Sequence, residues 1–130
     1  EETRRLMRQC DLLVLPSLFD GWGAVVNEAL QAGMRVLCST ACGAASLLDG
    51  RQRGGSFDPD RPESLRRALR EWLDKGRLSP AERNAIAAWA EQTISGAAAA
   101  RYLVHIVHYT EGREENRPAA PWAPLKETAS

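Results

Sequence analysis

Short unbroken apolar runs alternate along this chain with stretches in which apolar residues recur every three or four positions, and the two patterns predict different elements. Residues 1–10 place Leu6, Met7 and Cys10 at helical spacing beside Arg4, Arg5 and Arg8, with no capping residue ahead. They read as the tail of a helix whose upstream context is missing. Leu12-Leu13-Val14-Leu15 is a continuous apolar run stopped by Pro16-Ser17. It predicts a strand buried on both faces, the signature of a parallel sheet. A turn at Asp20-Gly21-Trp22-Gly23 leads into a short helix through Val25, Val26, Ala29, Leu30 and Ala32, which Gly33 ends as a C′ glycine. Arg35-Val36-Leu37-Cys38 predicts a second buried strand. Strand, helix and strand form one βαβ unit, for which a right-handed connection is expected. Ser39 to Gly43 is then a second strand-to-helix loop, followed by Ala44 to Leu48. Asp49 to Gly55 is polar and glycine-bearing, and Ser56-Phe57 is a candidate for a last short extended segment.

The remainder is helical. Asp60 with Glu63 reads as a capping box ahead of the stripe Leu65, Ala68, Leu69, Trp72, Leu73. Ser79 with Glu82, and Pro80 at the first helical position, starts a helix with the stripe Ala85, Ile86, Trp89, Ala90. Ser95-Gly96 breaks into a third helix with Tyr102, Leu103, Ile106 and Val107 inward. From Glu111 onward the chain is charged and proline-bearing, a loose tail until Trp122. Two strands alone cannot make a stable open sheet, so the pattern predicts half of an α/β sandwich with further strands upstream. The domain reading is one partial domain over 1–110 and a flexible tail over 111–130.

Composition narrows the function classes. At 130 residues the chain is one domain at most, and its 44% hydrophobic content is enough for a core. Lys+Arg and Asp+Glu both number 17, so there is no basic excess of the kind a general nucleic-acid surface needs. The arginine clusters at 4, 5, 8 and at 66, 67, 70 fit solvated helix faces. Three cysteines without framework spacing point to a reducing compartment. A metal site from Cys38, Cys42, His105 and His108 is disfavoured, because the histidines lie far off on a helix. No apolar run approaches the roughly 20 residues needed to span a bilayer.

Ligands of open parallel sheets bind beyond the carboxyl ends of the strands, where Pro16–Gly23 and Ser39–Gly43 lie. The first loop feeds a helix N-terminus, whose N–H groups and dipole suit a phosphate or a sugar oxygen. Gly21 and Gly23 would allow close backbone approach, Asp20 precedes the helix and Glu28 lies on its second turn. Each also has an ordinary reading: Asp20 as a turn or N-cap residue, Glu28 as a solvated carboxylate, the glycines as a turn, Trp22 as packing.

Taken together, Pro16, Ser17, Asp20, Gly21, Trp22, Gly23, Glu28, Ala29, Gly33 and Val36 resemble the most diagnostic segment of retaining GT-B glycosyltransferases of group 1, the family-four type. There, two acids separated by seven residues sit within Pro-Ser, acid-Gly-aromatic-Gly, Glu-Ala and Gly-x-Pro-Val. Cys42-Gly43-Ala44 is similar to the family's glycine-containing loop after the next strand. The resemblance runs over about residues 1–110, with two departures: Asp20 replaces the usual glutamate and Arg35 the usual proline.

The resemblance implies an α/β fold, a partial Rossmann-like parallel sheet with flanking helices (the C-terminal half of a GT-B donor domain) and a helical C-terminal part. It implies a hexosyltransferase that uses a nucleotide-diphosphate sugar as donor substrate, with no cofactor and no metal. Glu28 would bind the ribose hydroxyls and Asp20 the donor sugar. Ser17, Gly21, Trp22, Gly23 and Ala24 would surround the sugar and diphosphate, and Gly43 would form a nearby wall. A saccharide or lipid-linked acceptor would be held by an N-terminal domain outside this chain, and the fragment alone is expected to be inactive. By analogy, bacterial members build cell-surface polysaccharide in the cytoplasm, with peripheral association at the cytoplasmic face of the inner membrane. No nucleic-acid partner is expected. The residues also fit a non-catalytic Rossmann-like module binding a nucleotide or a partner protein. A Rossmann oxidoreductase would need the full glycine fingerprint, which is absent.

Overall fold

The computed structural model of the chain describes residues 2–48 and 51–123. They form two compact units that divide after Ala90.

The first unit is an α/β layer structure. Helix α1 (Glu2–Gln9) leads to strand β1 (Leu12–Leu15), helix α2 (Ala24–Gln31), strand β2 (Arg35–Ser39), a 3-10 turn (Gly43–Leu47), strand β3 (Gly54–Phe57) and helices α3 (Pro62–Asp74) and α4 (Pro80–Ile94). The sheet order is β1-β2-β3. Both pairings are parallel, with Leu13 opposite Val36 and Leu37 opposite Gly55. The central strand β2 is buried at all five residues, as a doubly covered parallel strand should be.

Helices cover both faces. On one side Leu37, Phe57 and Trp72 form a buried cluster against which Leu12, Val14, Leu65, Ala68 and Leu69 pack. Alternation sends Val36 and Cys38 to the opposite face. There α2 packs on β1, β2 and the 3-10 turn, burying Val26, Ala29 and Leu30. Burying Val26 and Leu30 contributes roughly 1.5–3 kcal/mol each. Helix α2 ends as its glycine predicts. Gly33 takes φ +76°, its N–H donates to Leu30 O (3.0 Å), and the Met34 N–H donates to Ala29 O (2.9 Å). This is a Schellman closure.

An ionic clasp ties the α3–α4 junction to the amino ends of β1 and β2. Asp11 accepts from Arg77 Nε (3.1 Å), Arg83 Nη2 (3.0 Å) and the Leu78 N–H (3.3 Å). The Arg35 guanidinium is buried beside Trp72 and donates to Glu82 Oε1 (2.7 Å) and to Gly76 O (3.2 Å). The Ser79–Glu82 capping box forms, with the Ser79 N–H on Glu82 Oε2 (2.8 Å) and the Glu82 N–H on Ser79 Oγ (3.3 Å). The Ser79 hydroxyl and N–H hold the Glu82 carboxyl below its usual value, aided by Arg35.

Several expectations are corrected. The extended segment near Phe57 is a full strand pairing with β2, so the sheet has three described strands and not two. Its signal was hidden because two of its four residues are glycine. β1 is half-buried at each residue, because it has a single strand neighbour in the described sheet. The Asp60–Glu63 capping box is not made. Arg61 is the N-cap residue without a side-chain bond, and Asp58 Oδ1 accepts from the Asp60 N–H in an Asx turn (3.0 Å). Leu73 is 67% exposed, beyond the edge of the α3 stripe. Arg35, noted in the sequence only as a departure from proline, joins the clasp through Glu82 and Gly76.

The second unit holds the end of α4 and helix α5 (Gly96–Thr110). Ser95 caps α5, its Oγ accepting from the Ala98 N–H (3.2 Å). Tyr102 and Ile106 are half-buried, but Leu103 and Val107 are exposed and not inward. The segment expected as a tail makes contacts back to α5. Trp122 packs on Tyr102 with ring centroids 6.5 Å apart, and Glu114 lies 2.9 Å from His105 Nδ1. Asp49 and Gly50 of the polar connection, and residues 124–130 of the tail, lie outside the described residues.

Candidate functional site

The two loops named from the sequence meet at the carboxyl ends of β1 and β2, held by backbone hydrogen bonds that continue the sheet. Asp20 forms an isolated parallel bridge with Cys42. The Asp20 N–H donates to Ala41 O (3.2 Å), the Gly43 N–H to Asp20 O (3.2 Å) and the Ala44 N–H to Trp22 O (2.7 Å). Asp20, Gly21, Trp22 and Gly43 are thereby fixed in one patch. Beneath it the thiol of Cys42, only 2% exposed, donates to Trp22 O (3.0 Å).

Within the turn the Asp20 carboxylate accepts from the Trp22 N–H (3.0 Å). This is the turn role open to an aspartate; the N-cap role falls to Gly23. No side chain caps α2; the Val26 N–H donates to the Gly23 carbonyl (2.9 Å), and no N-cap side-chain oxygen competes for the N–H groups ahead of it. The Trp22 indole N–H donates to Asn27 Oδ1 (3.0 Å), which pins the partly exposed ring to the first turns of α2.

The two loop glycines differ. At Gly21 a Cβ would meet nothing within 4 Å, so the space above it is open. Gly23 is buried at φ +85°, and a Cβ there would lie 2.5 Å from Cys42 Sγ and 3.2 Å from Leu15 Cδ2. Its small size serves internal packing, not the approach of a ligand. Gly43 is packed against the turn, where a Cβ would come 2.5 Å from Gly21 O.

Ser17 is half-buried in the first loop, and Ala24 is exposed at the head of α2. Glu28 is exposed one turn further along, roughly 6 Å down the helix axis. It borders a separate concavity of about 180 Å³ with Arg4, Arg8, Gln31 and Ala32. The loops and Glu28 are thus joined through α2. Sequence reasoning missed Arg4 and Arg8 here, although their i, i+4 spacing places both on one side of α1. It also missed Asn27 and the contact of the Cys42 thiol with Trp22 O, for which no local pattern gives a signal.

Cys38 lies behind the loop. Burial first, and then the neighbouring Cys42 thiol, push its pKa up to about 12, so it stays a neutral thiol. Among the described residues no three His, Cys, Asp or Glu side chains are grouped to hold a metal ion. No helix among them is long and apolar enough to cross a membrane.

A parallel sheet covered on both faces, with the candidate residues on its carboxyl-end loops, defines a Rossmann-like α/β domain. The sequence of residues 1–92 matches Glycosyl transferases group 1, and the chain belongs to that family. No curated protein sequence matches it. Among solved structures it is similar to sucrose-phosphate synthase from Thermosynechococcus elongatus, with a TM-score of 0.58 and 18% identity. That likeness covers 84% of this chain and 27% of the other, and it concerns the fold, that of a GT-B glycosyltransferase domain. The chain spans about a quarter of the length of that structure.

Proposed function

We propose that the chain supplies the donor side of a retaining, hexosyl-type glycosyltransferase acting on a nucleotide-diphosphate sugar. The observation that carries this reading is the backbone clasp between the two loops. It sets the Asp20 turn, the open face of Gly21 and the Gly43 wall at the uncapped head of α2. In this reading the diphosphate lies against the N–H groups around Gly21 to Ala24, where fixed dipoles stabilise charge on the leaving group without reorganisation. The sugar lies over Gly21 beside Ser17, Asp20 and Trp22. Further along α2, Glu28 accepts hydrogen bonds from the ribose hydroxyls. The acceptor is a saccharide or lipid-linked glycan presented by another domain at the cytoplasmic face of the membrane, and neither metal nor cofactor is required.

Calorimetric titration of the intact enzyme with free nucleoside diphosphates tests the proposal. Glu28→Gln should weaken binding roughly 10- to 100-fold, from loss of about 1.5–3 kcal/mol of charge-assisted hydrogen bonding. Unchanged affinity would make Glu28 a surface carboxylate and remove the nucleotide from this face.

A further inference from the structure

We infer that Cys42 is a positioning residue for the acid-bearing turn, acting through the proton of its thiol and not through the volume of its sulfur. Three observations converge on it. Its Sγ–H donates to the Trp22 carbonyl at 3.0 Å, an oxygen that also accepts from the Ala44 N–H at 2.7 Å. Its backbone lies in the bridge with Asp20, so the residue touches the turn at both ends. Its sulfur also occupies the space that a Cβ on Gly23 would fill, directly under the left-handed residue that redirects the chain into α2.

The chemistry of the surroundings keeps that donor in place. Cys42 is 2% exposed, and Ser39, also buried, is engaged by the Ala41 N–H on its Oγ (3.0 Å). At that exposure bulk water does not compete for the thiol proton. The neighbouring sulfur is Cys38, a neutral thiol that shares a hydrogen bond with Cys42. Trp22 O sits between the Asp20 carboxylate, which accepts from the same residue's N–H, and the first turn of α2. Holding that carbonyl fixes the Trp22–Gly23 peptide, which adjoins through the Trp22 Cα the Gly21–Trp22 peptide whose N–H the Asp20 carboxylate accepts. An S–H group is a weak donor, and a carbonyl oxygen is a stronger acceptor for it than the neighbouring thiol sulfur. The catalytic consequence rests on the reading of Asp20 as a donor-sugar contact. The structural one does not.

Two variants separate the proton from the volume. Cys42→Ser keeps a donor in a smaller side chain, and Cys42→Val fills the space without one; Cys42→Ala serves if Val lowers the melting temperature sharply. Amide hydrogen exchange is the first readout. In Cys42→Val or Cys42→Ala, exchange at Gly43 and Ala44, whose N–H groups hold the turn, should rise about tenfold, while Val36 and Thr40 in the sheet keep their protection. Cys42→Ser should match the parent. The second readout is steady-state sugar transfer by the intact enzyme. kcat should fall about tenfold in Cys42→Val with donor KM within a few-fold, and Cys42→Ser should restore it. Unchanged exchange in Cys42→Val, or equal damage in Cys42→Ser, would overturn the proposal and leave sulfur volume as the role of Cys42. If exchange responds as expected but the parent enzyme transfers no sugar, the positioning role stands and the proposed function falls.

Discussion

Gly21 and Gly23 look interchangeable in the sequence, but alanine at the two positions should have opposite effects. Gly23 sits at φ +85°, a conformation that costs an L-residue roughly 1–2 kcal/mol. A Cβ there would also stand 2.5 Å from Cys42 Sγ and 3.2 Å from Leu15 Cδ2. The sulfur cannot retreat without giving up its bond to Trp22 O, so overpacking adds about 1–3 kcal/mol. Gly23→Ala should therefore lose about 2–5 kcal/mol. Gly21 has no positive φ, and its Cβ would meet nothing within 4 Å, so Gly21→Ala should stay within about 0.5 kcal/mol. Urea unfolding followed by tryptophan fluorescence measures both. With a slope of about 1–3 kcal/mol per molar, Gly23→Ala should move the midpoint by about 1 M or more. Gly21→Ala should leave it in place yet depress sugar transfer, because the new methyl group would stand where the donor is proposed to lie. A Gly23→Ala midpoint equal to the parent's, or a Gly21→Ala protein as unstable as Gly23→Ala, would refute this division of roles.

Asp20→Asn should lower turnover far more than nucleotide affinity, because its proposed partner is the sugar; parallel losses in kinetics and calorimetry would instead mark it as a turn residue only. Arg35→Ala should cost about 2–3 kcal/mol in a thermal melt, since its charged hydrogen bonds to Glu82 and Gly76 are lost from a buried position. Arg35→Met should cost less, because it keeps the stem beside Trp72 and removes a buried Nε that has no partner. For Cys38 the folded pKa, about 12, lies above the usual 9.0, so the folded state holds its proton more tightly than the unfolded chain. That contribution is complete below pH 9 and is lost as pH rises toward 12; Cys38→Ala should flatten the alkaline limb of a stability-versus-pH curve.

The parts of this fold that announce themselves in sequence are those whose physics is local. The apolar run of β2, the Schellman glycine at 33 and the Ser79–Glu82 box each depend on residues within a few positions, and each forms as read. β3 showed only as a candidate extended segment at Ser56-Phe57, because its glycines give no pattern, and its full extent comes from pairing with Val36 to Ser39 upstream. The Asp60–Glu63 box failed because Asp58 Oδ1 already takes the Asp60 N–H that the Glu63 side chain would have to reach. In the candidate site, the order of Asp20, Gly21, Trp22 and Gly23 was legible. The contact with Cys42, the anchoring of Trp22 by Asn27 and the arginines beside Glu28 are products of chain folding. Arg35 shows the same limit: nothing adjacent reveals that a strand's first residue meets a glutamate 47 positions away.

The ionic clasp and the Asp20 turn occupy opposite ends of the same two strands. Strands of four and five residues rise roughly 13–16 Å. Physiological salt damps the field of exposed charges over about 8 Å. Gaining or losing a charge around Asp11, Arg77 or Glu82 thus alters how firmly the domain holds together without retuning the potential felt at the Asp20 carboxylate. Stability and chemistry can drift independently here. A lineage could rebuild the clasp for a hotter or saltier cell and leave the Asp20 turn as it is, or alter the turn and keep the clasp.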